Sequence, residues 1–161
     1  TAVLSHLDRL AGDVVVAAER ARGVLAELGD SGNHNVRVDL LIALAAALHG
    51  LGRHERADEH LRAALDCTGW VFEVTRAHLV LQVARWAPLE LRPATERWRE
   101  GHGLPLSLFL GDLADAWWAA RDGDTGRARQ HVLTGRQRLR ELHVAPTSLV
   151  RAELDALEAS L

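Results

Sequence analysis

Apolar residues recur at three- and four-residue intervals almost from one end of this chain to the other. No stretch alternates with the period of two that a half-buried strand requires. That restricts the chain to an all-α fold. Leu4, Leu7, Leu10 or Ala11, Val14, Ala18, Ala21, Leu25 and Leu28 draw one stripe, with Asp8, Arg9, Glu19 and Arg22 off it. The run 29–35 breaks the pattern, and Asn35 is a candidate cap for the next helix. Residues 36–49 are apolar around most of the circumference (Leu40, Leu41, Ile42, Leu44, Leu48), the mark of a helix covered on several sides. Gly50-Leu51-Gly52 turns the chain into residues 54–66, where Ala57, Leu61, Ala64 and Leu65 face inward.

A further helix is predicted from about Trp70 to Trp86, stopped by Pro88, which cannot continue the backbone ladder. A shorter one is expected from Pro93, a good first-turn residue, to Glu100, closed by Gly101-His102-Gly103. Pro105 opens a helix that reaches Arg121. Asp124 is placed to cap residues 125–143, and Pro146 and Thr147 start a last amphipathic helix with Leu149, Leu154 and Leu157 inward. Roughly nine helices joined by short connections make antiparallel neighbours of successive elements.

Composition narrows the function classes. The net charge is -3, and acidic residues accompany arginine on nearly every predicted helix, which gives no pull toward nucleic acid or an anionic membrane. The least charged stretch, Leu40 to Leu48, is too short to span a bilayer, and no N-terminal segment has signal-peptide form. One cysteine, Cys67, excludes an internal disulfide and fits a reducing, cytoplasmic compartment. Every basic residue is arginine, lysine is absent, and the arginine, alanine and leucine bias suggests a GC-rich, actinobacterial genome. The lack of methionine means that Thr1 is not a translated start, so the chain is expected to be a piece of a larger protein.

The segments repeat. Aligned on Ala17, Ala57, Ala94 and Ala128, which stand roughly 34 to 40 residues apart, three of the four carry glycine five residues upstream (Gly12, Gly52, Gly123). Four residues downstream stand Ala21, Leu61, Trp98 and Val132, and seven downstream Val24, Ala64, Gly101 and Gly135. The best-formed unit is Leu41 to Leu65, LIALAAALHGLGRHERADEHLRAAL. This pattern resembles the tetratricopeptide (TPR) repeat, a helical hairpin of about 34 residues. Leu41, Leu44, Ala45 and Leu48 take its first-helix positions; Gly52, Ala57, Leu61 and Ala64 take its turn and second helix. The resemblance implies an α-solenoid of stacked hairpins, with units at 1–30, 36–66, 70–101 and 105–143 and a capping helix at 147–161. It departs from the family at Pro88, where a glycine belongs, and at Asp112 and Asp115, which occupy core positions.

In such a stack the first helix of each hairpin lines a concave groove. Carrying those positions over gives Asp39, Ile42, Ala46 and His49, then Arg76, Leu79, Val83 and Trp86, then Leu110, Leu113, Trp117 and Arg121. Tryptophan and arginine are the residues most enriched at interface hot spots. The groove lacks the lysine and asparagine set with which some family members clamp a C-terminal carboxylate, so a helix or apolar peptide segment is the expected ligand. Core packing is the alternative use of Trp70, Trp86, Trp98, Trp117 and Trp118. Trp117 and Trp118, about 100° apart on one helix, cannot both point fully inward.

Catalytic signals are weak. The run from His54 to Asp58 has aspartate where a zinc-protease helix needs its second histidine. His49, His54 and His60 straddle a turn, and no pair of histidines has metal-ligand spacing together with a neighbouring cysteine or third ligand. Asp112 and Asp115 lie one helical turn apart and read as solvated or capping carboxylates before acid–base groups. Asp122 to Gly126 begins like a calcium loop, but Leu133 stands at the closing glutamate position. Cys67 has no activating partner in sequence. The expected function is therefore a protein–protein interaction or scaffolding module, without enzyme activity, metal or cofactor. It is similar to the repeat regions of large actinobacterial transcriptional regulators, with a protein or peptide, or other domains of the same protein, as partner. The alternative is a sensor domain binding a small apolar ligand between its helices.

Overall fold

The computed structural model describes residues 13–29, 33–142 and 149–161; the stripe residues Leu4, Leu7, Leu10 and Ala11, Gly12 and the start expected at Pro146 and Thr147 lie outside them. The described residues form eight α-helices and no strand: α1 (Val14–Leu28), α2 (His34–Gly50), α3 (His54–Leu65), α4 (Glu73–Trp86), α5 (Glu96–Arg99), α6 (Pro105–Arg121), α7 (Thr125–Glu141) and α8 (Leu149–Ser160). A 3-10 helix, Leu89–Thr95, precedes α5.

Three helix starts use the side-chain oxygen of the residue before the first turn. Asp13 accepts from Val16 N at 3.1 Å, Asn33 from Val36 N at 3.2 Å and Asp124 from Arg127 N at 2.9 Å. The cap of α2 is thus Asn33, not Asn35. Asn35 sits inside the helix, and its Oδ1 accepts from Phe72 N at 2.9 Å, tying α2 to the approach of α4. Two turns repeat one construction. Gly52 (φ 71) and Gly123 (φ 81) occupy the left-handed region. The residue after each bonds back five positions, Arg53 N to Leu48 O at 2.9 Å and Asp124 N to Ala119 O at 2.8 Å. These turns fold α2 onto α3 and α6 onto α7 as antiparallel hairpins.

α2 and α4 are the interior helices. α2 is buried at every residue from Leu40 to Leu48, because α1, α3 and α4 cover it. α4 is likewise closed from Leu79 to Ala84 between α2 and α6. Small residues let these axes approach: Ala77, Ala84, Ala114 and Ala116 have no exposed surface. On the far side of α6, a β-carbon at Gly135 would stand 3.4 Å from the Phe109 ring, so α7 packs here at close van der Waals distance.

Of the four aligned alanines, Ala17, Ala57 and Ala128 are buried and Ala94 is exposed. Pro88 is the cause. It forces Ala87 into an extended conformation (ψ 158), and the chain then runs as the 3-10 helix and the single turn of α5. The helix expected from Pro93 is replaced by these two short pieces, with Pro93 inside the 3-10 segment. Trp98, 4% exposed, still fills the position that Leu61 and Val132 fill in their hairpins. The helix expected from Trp70 begins instead at Glu73, which leaves Trp70 to Phe72 as an extended approach.

Glu73, the first residue of α4, also serves a second helix. Its Oε1 accepts from Leu104 N at 2.8 Å and also from Gly103 N and Ser107 Oγ, so one carboxylate at the head of α4 caps α6. The Ser107 hydroxyl and then the Leu104 amide hold its pKa below the ordinary 4.5. A carboxylate whose folded pKa is depressed stabilises the fold above its unfolded pKa, and that contribution disappears as pH falls through the folded value. Glu73→Gln is therefore expected to be less stable than the parent chain at neutral pH. The gap should close on acidification below about pH 4, as measured by urea unfolding at each pH. A constant gap would refute the charged cap.

Candidate binding surface

Because α2, α4 and α6 run the same way, their C-terminal turns share one end of the molecule. A row of planar groups crosses it. The Trp86 indole stacks on the His49 imidazole, with centroids 4.7 Å apart and planes 16° from parallel, and His49 meets the His54 ring edge-on at 4.4 Å. The Arg85 guanidinium lies 4.9 Å from the Trp86 ring centroid and 5.6 Å from that of Trp117. Glu153 of α8 pairs with Arg85 and fixes its orientation. Arg121 donates to Ala84 O at 2.9 Å and lies 5.4 Å from the Trp118 ring centroid, which Arg92 also approaches at 5.2 Å. Arg85 and Arg121 in last turns also complement the helix dipoles.

Burial lowers the pKa of His49, and the neighbouring charges of His54 and Arg85 lower it further. The neutral ring, which stacks on indole without a desolvated charge, is thereby favoured.

No protein-family model, curated protein or solved structure matches this chain.

The predicted groove residues divide into three groups. His49, Trp86, Trp117 and Arg121 gather at this shared end, each half-buried. Ile42, Leu79, Val83 and Leu113 are sealed in the core at 1% exposure or less and offer no surface to a partner, and Ala46 and Leu110 are buried with them. The close approach of α4 to α2 and α6 shuts them in. Asp39 and Arg76 lie farther toward the helix starts. Asp39 receives the Asn35 amide at 3.4 Å, and burial pushes its carboxyl up, opposed by a hydrogen bond with Thr75. Arg76 bears on His102, whose pKa is lowered first by burial and then by that guanidinium.

Sequence reasoning missed Arg85, His54 and Glu153. Arg85 stands beside Trp86 in the last turn of α4, where a cation favours the helix dipole, and that was a usable signal. The exposed pair Trp70 and Phe72, T-shaped at 4.4 Å, was missed as well. Trp70 is 71% exposed, against its expected packing role. Trp118 is buried and Trp117 only half so, as their angular separation requires.

The carboxylates weighed for catalysis are engaged elsewhere. Asp112 pairs with Arg138, Asp115 with Arg99 at 2.8 Å and Asp122 with Arg92 at 2.8 Å. Asp124 caps α7. Burial, the largest influence, raises the Cys67 thiol pKa, the opposite of an activated nucleophile. Among the described residues no group of three potential ligands converges as a metal site, and no helix is long and apolar enough to cross a membrane.

Proposed function

We propose that this chain is a protein-interaction module built of TPR-like stacked hairpins, which receives an amphipathic helix or apolar peptide segment on the row from His54 to Trp117. One observation carries the reading. Trp86 is half-buried, with the His49 ring stacked on it and the Arg85 guanidinium 4.9 Å from its centroid, so its ring is ordered before a partner arrives. Pre-ordered aromatic surface loses little conformational entropy on binding, and tryptophan and arginine are both enriched at interface hot spots. The side-by-side placing of α2, α4 and α6 supports a stacked-hairpin arrangement, with α3 and α7 as return helices. Within a larger regulatory protein, the segment bound could equally come from a neighbouring domain.

The test is titration with a synthetic amphipathic helical peptide, followed by tryptophan fluorescence and calorimetry, with a small apolar dye as control. The peptide should bind and shift the emission, and the dye should not. Trp86→Ala should cost about 2 kcal/mol of binding energy or more, as a hot-spot truncation does. Equal affinity in Trp86→Ala would remove the proposal, and dye binding that competes with peptide would favour a small-ligand sensor.

A further inference from the structure

We infer that the outer face of α7 is a second docking surface, for an acidic amphipathic helix of a protein partner. The inference does not rest on the row around Trp86, which lies on other helices.

The charge balance of α7 sets it apart. The chain carries a net charge of -3, and α1 and α3 mix acidic and basic residues along their length. α7 instead holds Arg127, Arg129, Arg136, Arg138 and Arg140 with one acidic residue, Glu141. Two of these arginines serve the fold: Arg138 reaches Asp112 on α6, and Arg136 pairs with Glu158 on α8. Arg127, Arg129 and Arg140 are exposed, and no carboxylate pairs with them among the described residues.

Arg129, Leu133, Arg136 and Arg140 follow at intervals of four, three and four residues, which aligns them on one helix face. Leu133, at the centre of this face, is 65% exposed. Its neighbours three and four positions away are Arg129, Gln130, Arg136 and Gln137, all exposed. An apolar knob inside an arginine and glutamine rim has the anatomy of a protein interface: a dry centre, a polar edge and arginine as anchor.

Charge complementarity selects the occupant. A helix with an apolar residue flanked by carboxylates at matching intervals meets both the knob and the guanidinium groups. A nucleic acid fits less well. Tight phosphate binding draws on about six to ten contacts, whereas this face offers three arginines around an apolar centre that a phosphate backbone leaves unmatched.

The probe is a labelled synthetic helix with leucine on one face flanked by glutamates. Comparators are the same peptide with lysine for glutamate and a short DNA duplex, and the readout is fluorescence anisotropy. The glutamate peptide should bind saturably and weaken as salt is raised. The pair Arg129→Glu, Arg140→Glu should lower its affinity on the order of tenfold. The pair Arg129→Gln, Arg140→Gln should fall between that and the parent chain. Both pairs lie on the solvent side, so their thermal midpoints should stay near that of the parent. In a Trp86→Ala background the loss caused by the Arg129 and Arg140 changes should persist, which separates failure here from failure of the Trp86 surface. No binding of the glutamate peptide, equal binding of the lysine peptide or tighter binding of DNA would overturn the inference. Indifference to the Arg129 and Arg140 changes, or to Leu133→Ala, would overturn it too.

Discussion

Trp118→Ala is expected to destabilise the protein by about 3 to 5 kcal/mol, the usual cost of emptying a buried tryptophan site. The indole is 2% exposed within the core, and the Arg92 and Arg121 guanidinium groups close its rim. Removing it leaves a large void on α6. The two arginines also lose the ring that shields their stems, although Arg92 keeps Asp122 and Arg121 keeps the Ala84 carbonyl. Against a total stability of about 5 to 15 kcal/mol for a domain of ordinary size, such a loss approaches global unfolding. Thermal and urea unfolding followed by circular dichroism should show it directly. The neighbouring change Trp117→Ala makes the contrast: half-buried at the row of planar groups, it should cost clearly less stability. An equal loss in both variants would mean that Trp117 is as much a core residue as Trp118.

The second large effect is Leu113→Ala, expected to cost about 2 to 5 kcal/mol. A groove-lining leucine would lose little on truncation, since its side chain would already meet water. Leu113 has no exposed surface, and a β-carbon at Gly135 of α7 would stand 3.8 Å from its methyl group, so the side chain faces the α6–α7 contact. Only part of the void can close, because Ala114 and Ala116 already bring the neighbouring backbones together. A loss under about 1 kcal/mol, the scale of an ordinary exposed site, would return Leu113 to the surface. Leu79 and Val83 should follow Leu113 in kind, with Val83 the milder because its side chain is smaller.

Both predictions turn on the place where the sequence reading and the structure part company. Groove positions were carried over at helical intervals along first helices, and that spacing is sound: Ile42 and His49 do lie on one face of α2. What the spacing does not contain is the distance between neighbouring axes. The alanines of α4 and α6 bring those helices close enough to close over Ile42, Leu79, Val83 and Leu113. Only the last turns, where the helices end and Trp86 emerges, keep a surface. Arg85 joined that surface through Glu153, a residue 68 positions away in the chain. The outer face of α7 was more accessible in principle, because its arginine interval is written in consecutive residues. It was hidden by the reading that acidic residues accompany arginine on nearly every helix, to which α7, with five arginines and one glutamate, is the exception.

By itself, the sequence determined what depends on neighbours within a few residues. The apolar period made the elements helical, Asp13, Asp124 and Pro105 marked starts, and Gly52 and Gly123 supplied the left-handed turns that fold two hairpins. Pro88 likewise ended α4 where proline must. Tertiary structure decided matters between equally good local options. Asn33 and Asn35 could each cap α2, and the bond from Phe72 N to Asn35 occupies one of them. Trp70 could extend α4, but the helix begins at Glu73, whose carboxylate accepts from the Leu104 amide at the head of α6. Which apolar face is core and which meets a partner is decided by how closely the axes pack. That closeness is a sum over side chains from several helices, and no single stretch of the chain contains it.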